Sequence, residues 1–315
     1  MSRGFAHKVI ITGSVCLAAL VVVYFAAVRT MTGQRFEDAV LRASDGRRSP
    51  PLVGLLDSIT GWSVAALVIL VVVIGLIRGL PHLGLAAGAV IVGSVVTAEV
   101  MQGLLTRPIL LTYGYRREDQ SFPSGHTAVA MSVMCALMMV VPYRRRGVTA
   151  LLASLWAVGV GALTVTVSWH RPSDTLGSDL IVLLYVCAAV LTLAWSGSVR
   201  SADPGRGATR VTGKLPGVVL AIAAGTALCV TVVLGHQVMR ALAATPDPGE
   251  LRLGTALIAG RAITLAGGAL TCLTVLALLH AVDLRPPSGA AAGHALSRRA
   301  GPPTEPMSPQ TDHAH

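Results

Sequence analysis

Two short polar segments interrupt a strongly apolar chain: Ser121-Phe122-Pro123-Ser124-Gly125-His126 and Ser168-Trp169-His170-Arg171-Pro172-Ser173-Asp174. His170 and Asp174 stand four apart, so a turn at a helix start brings imidazole and carboxylate together. A carboxylate bonded to one ring nitrogen fixes the tautomer and leaves the other nitrogen as a nucleophile. Pro123 to His126 reads as a helix opening, with proline at an early helical position and with Ser124 and Gly125 leaving backbone amides open, a ready place for phosphate oxygens. A plain helix start after a polar loop explains the proline and serine and gives no reason for His126. For the second cluster the plain reading is a capping Asp174 beside an interfacial His170. Two such clusters on one face point to chemistry on a phosphorylated substrate at a membrane surface.

The elements that position these clusters are membrane spans. Hydrophobic residues make up 53% of the 315 residues and charged residues 13%, and the mean hydropathy is +0.68, outside the usual soluble range. Apolar runs long enough to cross a hydrocarbon core of roughly 30 Å favour one helical bundle over two soluble domains. Hydropathy predicts spans over 9–28, 62–79, 83–103, 124–142, 148–168, 174–196, 216–239 and 254–282. The expected architecture is all-α and polytopic: a six-helix core over 1–196, a cytoplasmic linker over 197–215, two additional transmembrane helices within 216–282, and a tail over 283–315. That tail is rich in Pro, Gly, Ala and Ser and reads as disordered. Residues 9–28 lack a convincing small-residue cleavage site and read as a retained first helix rather than a signal peptide.

Eight spans place both termini on one side. The Tyr143-Arg144-Arg145-Arg146-Gly147 connection is the clearest positive-inside signal, joined on its side by Arg3, Lys8, Arg78, Arg200, Arg206, Arg210 and Lys214. Both termini are therefore expected in the cytoplasm, with both histidine clusters on the outer face. The outer loops carry their own arginines, among them Arg29, Arg35, Arg42 and Arg107, beside Glu37, Asp38 and Asp57. The net charge of +10 reads as topology and contact with anionic lipid headgroups, not as nucleic-acid binding. Cys16, Cys135, Cys187, Cys229 and Cys272 fall in different apolar runs and read as packing residues. Lone His82, His236 and His280 read as structural or interfacial, and His313 and His315 as incidental.

On these residues the chain resembles the type 2 phosphatidic acid phosphatase superfamily, whose membrane members hydrolyse lipid phosphates and whose soluble relatives include vanadium-dependent haloperoxidases. The family pattern is Lys-x6-Arg-Pro, then Pro-Ser-Gly-His, then Ser-Arg-x5-His-x3-Asp. The second element matches fully at Pro123 to His126. The third matches at His170 and Asp174, and the spacing of the two histidines, 44 residues from 126 to 170, suits the family. The first survives as Arg107-Pro108, with Val100, Met101 and Gln102 where the lysine is expected. Leu163 and Thr164 replace the serine and arginine of the third.

The resemblance implies that His170 attacks phosphorus, that Asp174 orients and charges its ring, and that His126 protonates the departing alkoxide and then activates water. Arg107, Ser124 and Gly125 would bind the phosphoryl oxygens, and Arg171 would supply one charge from another direction. The scheme requires no metal and no cofactor. Its substrate would be a membrane lipid phosphate, such as phosphatidic acid, phosphatidylglycerol phosphate or a polyprenyl phosphate, reached from the plasma-membrane bilayer at the extracytoplasmic face; oligomeric state is not legible. Arg116 and Arg117 are further candidate cations, set against a solvated loop pair. Glu99 is a candidate partner for a site cation, and Arg261 reads as snorkelling. Other readings of the same residues are a catalytically impaired lipid-phosphate-binding member of the fold, or a metal-dependent hydrolase or transporter using His126, His170 and Asp174 as ligands.

Overall fold

A computed structural model describes residues 3–44, 49–111, 120–197, 199–201, 210–244, 253–280 and 282–284. The described chain is helical, as expected. Helix α1 (Arg3–Val23) continues into a π-helical turn, Tyr24–Val28. Then come α2 (Met31–Ser44), α3 (Pro50–Asp57), α4 (Gly61–Ile77), α5 (Pro81–Leu104), α6 (Gly125–Val140), α7 (Tyr143–Thr166) and α8 (Pro172–Trp195). A short strand β1 (Val199–Ser201), two long helices, α9 (Arg210–Ala244) and α10 (Leu253–Leu279), and β2 (Val282–Leu284) complete it. Among the described residues six helices are long and apolar enough to cross a membrane, and α3 with α4, bent by 55° at their junction, make a seventh if taken as one span. The protein is a polytopic membrane helical bundle.

The remaining expected span is α6, which has 16 residues and rises only about 24 Å. Its sequence is apolar on every face, with Met131, Met134, Met138 and Met139 all fully buried, so it fills the centre of the bundle instead of facing lipid. Around it stand α5, α7 and α8; α1 packs on α8, and α4 on α5. Close approach is set by small residues. A Cβ on Gly75 would lie 2.5 Å from Gly84 Cα, where α4 and α5 meet backbone to backbone.

The segment between the first two spans, expected as an outer loop, is helical in its described parts. In α2 the charged residues alternate with Phe36, Ala39, Val40 and Ala43, an amphipathic period that a hydropathy window averages away. This helix lies against α10 and touches α7 and α9. The two C-terminal helices, α9 and α10, are not equivalent. Helix α10 packs on α2, α6, α7 and α8, with Gly260 against Val40 and Pro172 and Gly267 against Leu176 and Asp179, whereas α9 packs on α10 and the edge of α7.

At the opposite end the buried Arg146 donates from Nε to Met138 O (2.9 Å) and from one terminal nitrogen to Leu279 O (2.8 Å) and Val282 O (3.0 Å). A cation thus satisfies carbonyls at the C-terminal ends of α6 and α10. Strands β1 and β2 pair antiparallel beside it, with Arg200 opposite Asp283. The tail beyond 284 lies outside the described residues. All five cysteines are free.

Gly75→Ala forces α4 and α5 apart and should cost about 1–3 kcal/mol, read as a lower thermal midpoint in detergent, while Gly225→Ala, which meets open space, should show no loss.

Candidate active site

The turn joining α7 to α8 presents His170. Helix α7 ends with Ser168 N donating to Val165 O (3.3 Å) and Trp169 N to Thr164 O (2.9 Å), the paired bonds of a Schellman cap. The residue after the cap adopts the left-handed region, here Ser168 at φ 59°, a costly position for a side chain other than glycine's. Its hydroxyl reaches Leu41 O of α2 at 3.4 Å, and His170 N joins Trp169 N on Thr164 O at 3.2 Å. Thr164, at the position of the family arginine, is buried and contributes this carbonyl to the turn.

Pro172 then opens α8 and the turn folds back on Asp174, which is fully buried. Its Oδ2 accepts from Arg171 N (2.8 Å) and from Ser121 Oγ (2.7 Å) and lies 3.4 Å from His170 Nδ1. One Arg171 terminal nitrogen donates to Ser121 Oγ at 2.6 Å. Ser121 thus joins the two halves of the site: its hydroxyl serves the carboxylate and the guanidinium at once.

The same aspartate holds the second histidine through its backbone. Ser124 N donates to Asp174 O (2.9 Å), and Ser178 Oγ bridges Ser124 O (2.6 Å) and Asp174 O (3.0 Å). The Ser124 amide is therefore spent on α8 rather than open to a ligand, while its side chain caps α6 by accepting from Thr127 N at 3.3 Å. Gly125 is the first residue of α6, where amides have no carbonyl of their own helix to reach. His126 follows, its ring centroid 6.1 Å from that of His170 and 5.3 Å from that of Trp169. Two half-buried imidazoles, one backed by a carboxylate, thus face each other across a gap.

Arg107 completes the cluster. One terminal nitrogen donates to Glu37 Oε2 at 2.9 Å and the other lies 3.8 Å from Asp174 Oδ1. Glu37 is 2% exposed. Burial pushes its carboxyl above the usual range, with the Arg107 guanidinium pulling the other way. Sequence reasoning missed Glu37 because its helix was read as loop; the signal available was the amphipathic period of α2. Glu99, the expected partner for a site cation, instead faces outward from α5. Gln102, near the missing lysine, donates to Pro123 O. Arg261 Nε donates to Thr166 Oγ1 at 2.9 Å, bracing α10 on the end of α7. Arg116 and Arg117 lie outside the described residues. Among the described residues no three His, Cys, Asp or Glu side chains cluster as a metal site would need.

Residues 83–200 match the family model described as the PAP2 superfamily. Over that stretch the chain is similar to the PAP2 superfamily. The matched stretch runs from α5 to the start of β1 and contains Arg107, His126, His170 and Asp174; α2 with Glu37, and α10, lie outside it. No curated protein and no solved structure matches the chain. The similarity of this stretch to the PAP2 superfamily suggests phosphatase chemistry, and the six candidate spans among the described residues fit an integral membrane protein.

A carboxyl whose folded-state pKa is raised favours the fold in its protonated form. That contribution is present below the ordinary glutamate value of about 4.3 and is lost as pH rises through the raised value. Glu37→Gln should therefore melt higher than the wild type at neutral and alkaline pH, the difference closing toward pH ~4; thermal midpoints across pH in detergent check it, and a difference that grows on acidification contradicts it.

Proposed function

We propose that this protein is a lipid phosphate phosphatase that hydrolyses a phosphomonoester or pyrophosphate of a membrane lipid through a phosphohistidine on His170. The observation that carries the reading is the pair of facing imidazoles, His170 backed by the buried Asp174 and His126 at the start of α6, beside the Arg107 guanidinium.

In this scheme the free Nε2 of His170 attacks phosphorus, and the N–P bond forms as the bond to the lipid oxygen breaks. Asp174 stabilises the imidazolium that results. His126 gives its proton to the departing alkoxide, then takes one from water as the water attacks phosphorus, releasing inorganic phosphate and restoring His170. Arg107 and the first amides of α6 offset charge on the equatorial oxygens, where most phosphoryl-transfer catalysis resides. Arg171 acts at one remove, holding Ser121 against Asp174. The reading that Ser124 contributes an amide is narrowed to its capping hydroxyl, since its N–H bonds Asp174 O.

The arginine-rich turn opening α7 supports a cytoplasmic position for that end of the bundle, and with it an active site at the extracytoplasmic face of the plasma membrane. A second reading, a lipid-phosphate-binding member with little turnover, is favoured by one observation: two family cations are missing, with Thr164 at the arginine position and Val100, Met101 and Gln102 where the lysine is expected. A hydrogen bond from each such cation to the phosphoryl group would be worth about 1.5–3 kcal/mol.

The test is phosphate release from phosphatidic acid, phosphatidylglycerol phosphate and polyprenyl pyrophosphate by purified protein in mixed micelles, with EDTA present. Release that resists the chelator and disappears in His170→Ala is expected, with an acid-labile phosphoprotein trapped in His126→Ala. A folded wild-type protein that releases phosphate from none of them transfers the assignment to binding.

A further inference from the structure

We propose that Glu37, outside the matched family segment, is a positioning residue: it anchors one end of the Arg107 guanidinium so that the opposite edge is presented to the phosphoryl group. The inference rests on the phosphatase reading for the identity of the anion.

A guanidinium binds an oxyanion best through two parallel N–H groups along one edge. Arg107 meets Glu37 Oε2 through one terminal nitrogen, at 2.9 Å. Its Nε and its other terminal nitrogen are buried with no hydrogen-bond partner, as is Asp174 Oδ1. The side chain of Arg107 is 6% exposed and that of Glu37 3%. A buried cation with one nitrogen tied to Glu37, Nε without a hydrogen-bond partner and the remaining nitrogen paired only with Asp174 at 3.8 Å can take an oxyanion along its Nε edge. That edge lies toward Asp174, and Asp174 is the residue that backs His170.

The surrounding hydrogen bonds explain why α2 can hold Arg107 firmly. One turn before Glu37 on the same face, Gln34 donates to Val28 O (2.8 Å) and Pro108 O (2.7 Å) and accepts from Leu110 N (3.3 Å). Gln34 and Glu37 thus grip the Arg107-Pro108 segment together. Tyr24 Oη and Arg29 hold Thr106 just before it. Further along the helix, Leu41 O receives the Ser168 hydroxyl of the turn that carries His170. Helix α2 therefore sets the distance between the phosphate-binding arginine and the nucleophile. With two family cations missing, at Thr164 and at Val100 to Gln102, the orientation of Arg107 bears more of the binding than it would in a site rich in cations.

Orthovanadate affinity and kcat/KM for lipid phosphate release are measured in a double-mutant cycle of Glu37→Met, which keeps volume and removes the acceptor, with Arg107→Ala. The expected result is a loss of about 10- to 100-fold for Glu37→Met, absent when Arg107 is already alanine, and recovery of most of the loss in Glu37→Gln. Equal losses in both backgrounds, or no loss, overturn the proposal. A structure of the wild type with vanadate gives a second test that needs no variant to fold: vanadate oxygens on the Nε edge with Glu37 still bonded support it, and vanadate displacing Glu37 overturns it. Coupling in vanadate affinity without turnover leaves this inference standing and removes the phosphatase reading. Turnover with additive losses does the reverse, and a wild type that neither binds vanadate nor releases phosphate removes both.

Discussion

The carboxylate of Asp174 is the constraint around which the rest of this structure is arranged. An ion of that size in an apolar bundle costs several kcal/mol to desolvate, and it persists only where charge and hydrogen bonds surround it. Its Oδ2 receives a backbone amide and the Ser121 hydroxyl, its Oδ1 faces Arg107, and His170 lies alongside. The partners come from three parts of the chain, so satisfying one buried group brings together the loop after α5, the entry to α6 and the α7–α8 turn. Even the carbonyl of Asp174 is used, by Ser124 and Ser178. Folding the bundle and assembling the site are in this respect one event.

That demand explains features that would be odd in an ordinary helix bundle. Ser168 accepts a left-handed backbone because a tight Schellman cap is the way to end α7 and return the chain within four residues to Pro172. Gly177 stands on α8 where a Cβ would come within 2.6 Å of the Phe122 ring, so only glycine lets the first cluster lie against the second. Phe122 is itself fully buried, fixing the segment that delivers Ser121 and Ser124.

The helices outside the matched segment are also more than a surround. Helix α10 sends Thr264 to Thr175 at 3.0 Å and Arg261 to Thr166, bracing both helices that flank the turn carrying His170. Helix α2 also packs on α10, where its Val40 fills the space left by Gly260. Helix α10 thus meets the rest of the bundle directly through α6, α7 and α8 as well as through α2, the segment that hydropathy reads as a loop.

Much of this is legible in the chain itself. An apolar run long enough to span a bilayer must be a helix, because lipid offers its backbone no partners, so span positions follow from composition. The i, i+4 spacing of His170 and Asp174 and the Pro-Ser-Gly-His helix start are local, and the structure places both at helix beginnings. Which surface a helix buries is a different kind of fact. That α6 lies at the centre, that Arg107 turns to Glu37 instead of Glu99, that Ser121 joins Arg171 to Asp174, and that the Ser124 amide is already used all depend on residues 50 or more positions apart. Desolvation, which decides the partner of every buried charge, is felt only when the helices have packed, and no local pattern in the chain encodes it.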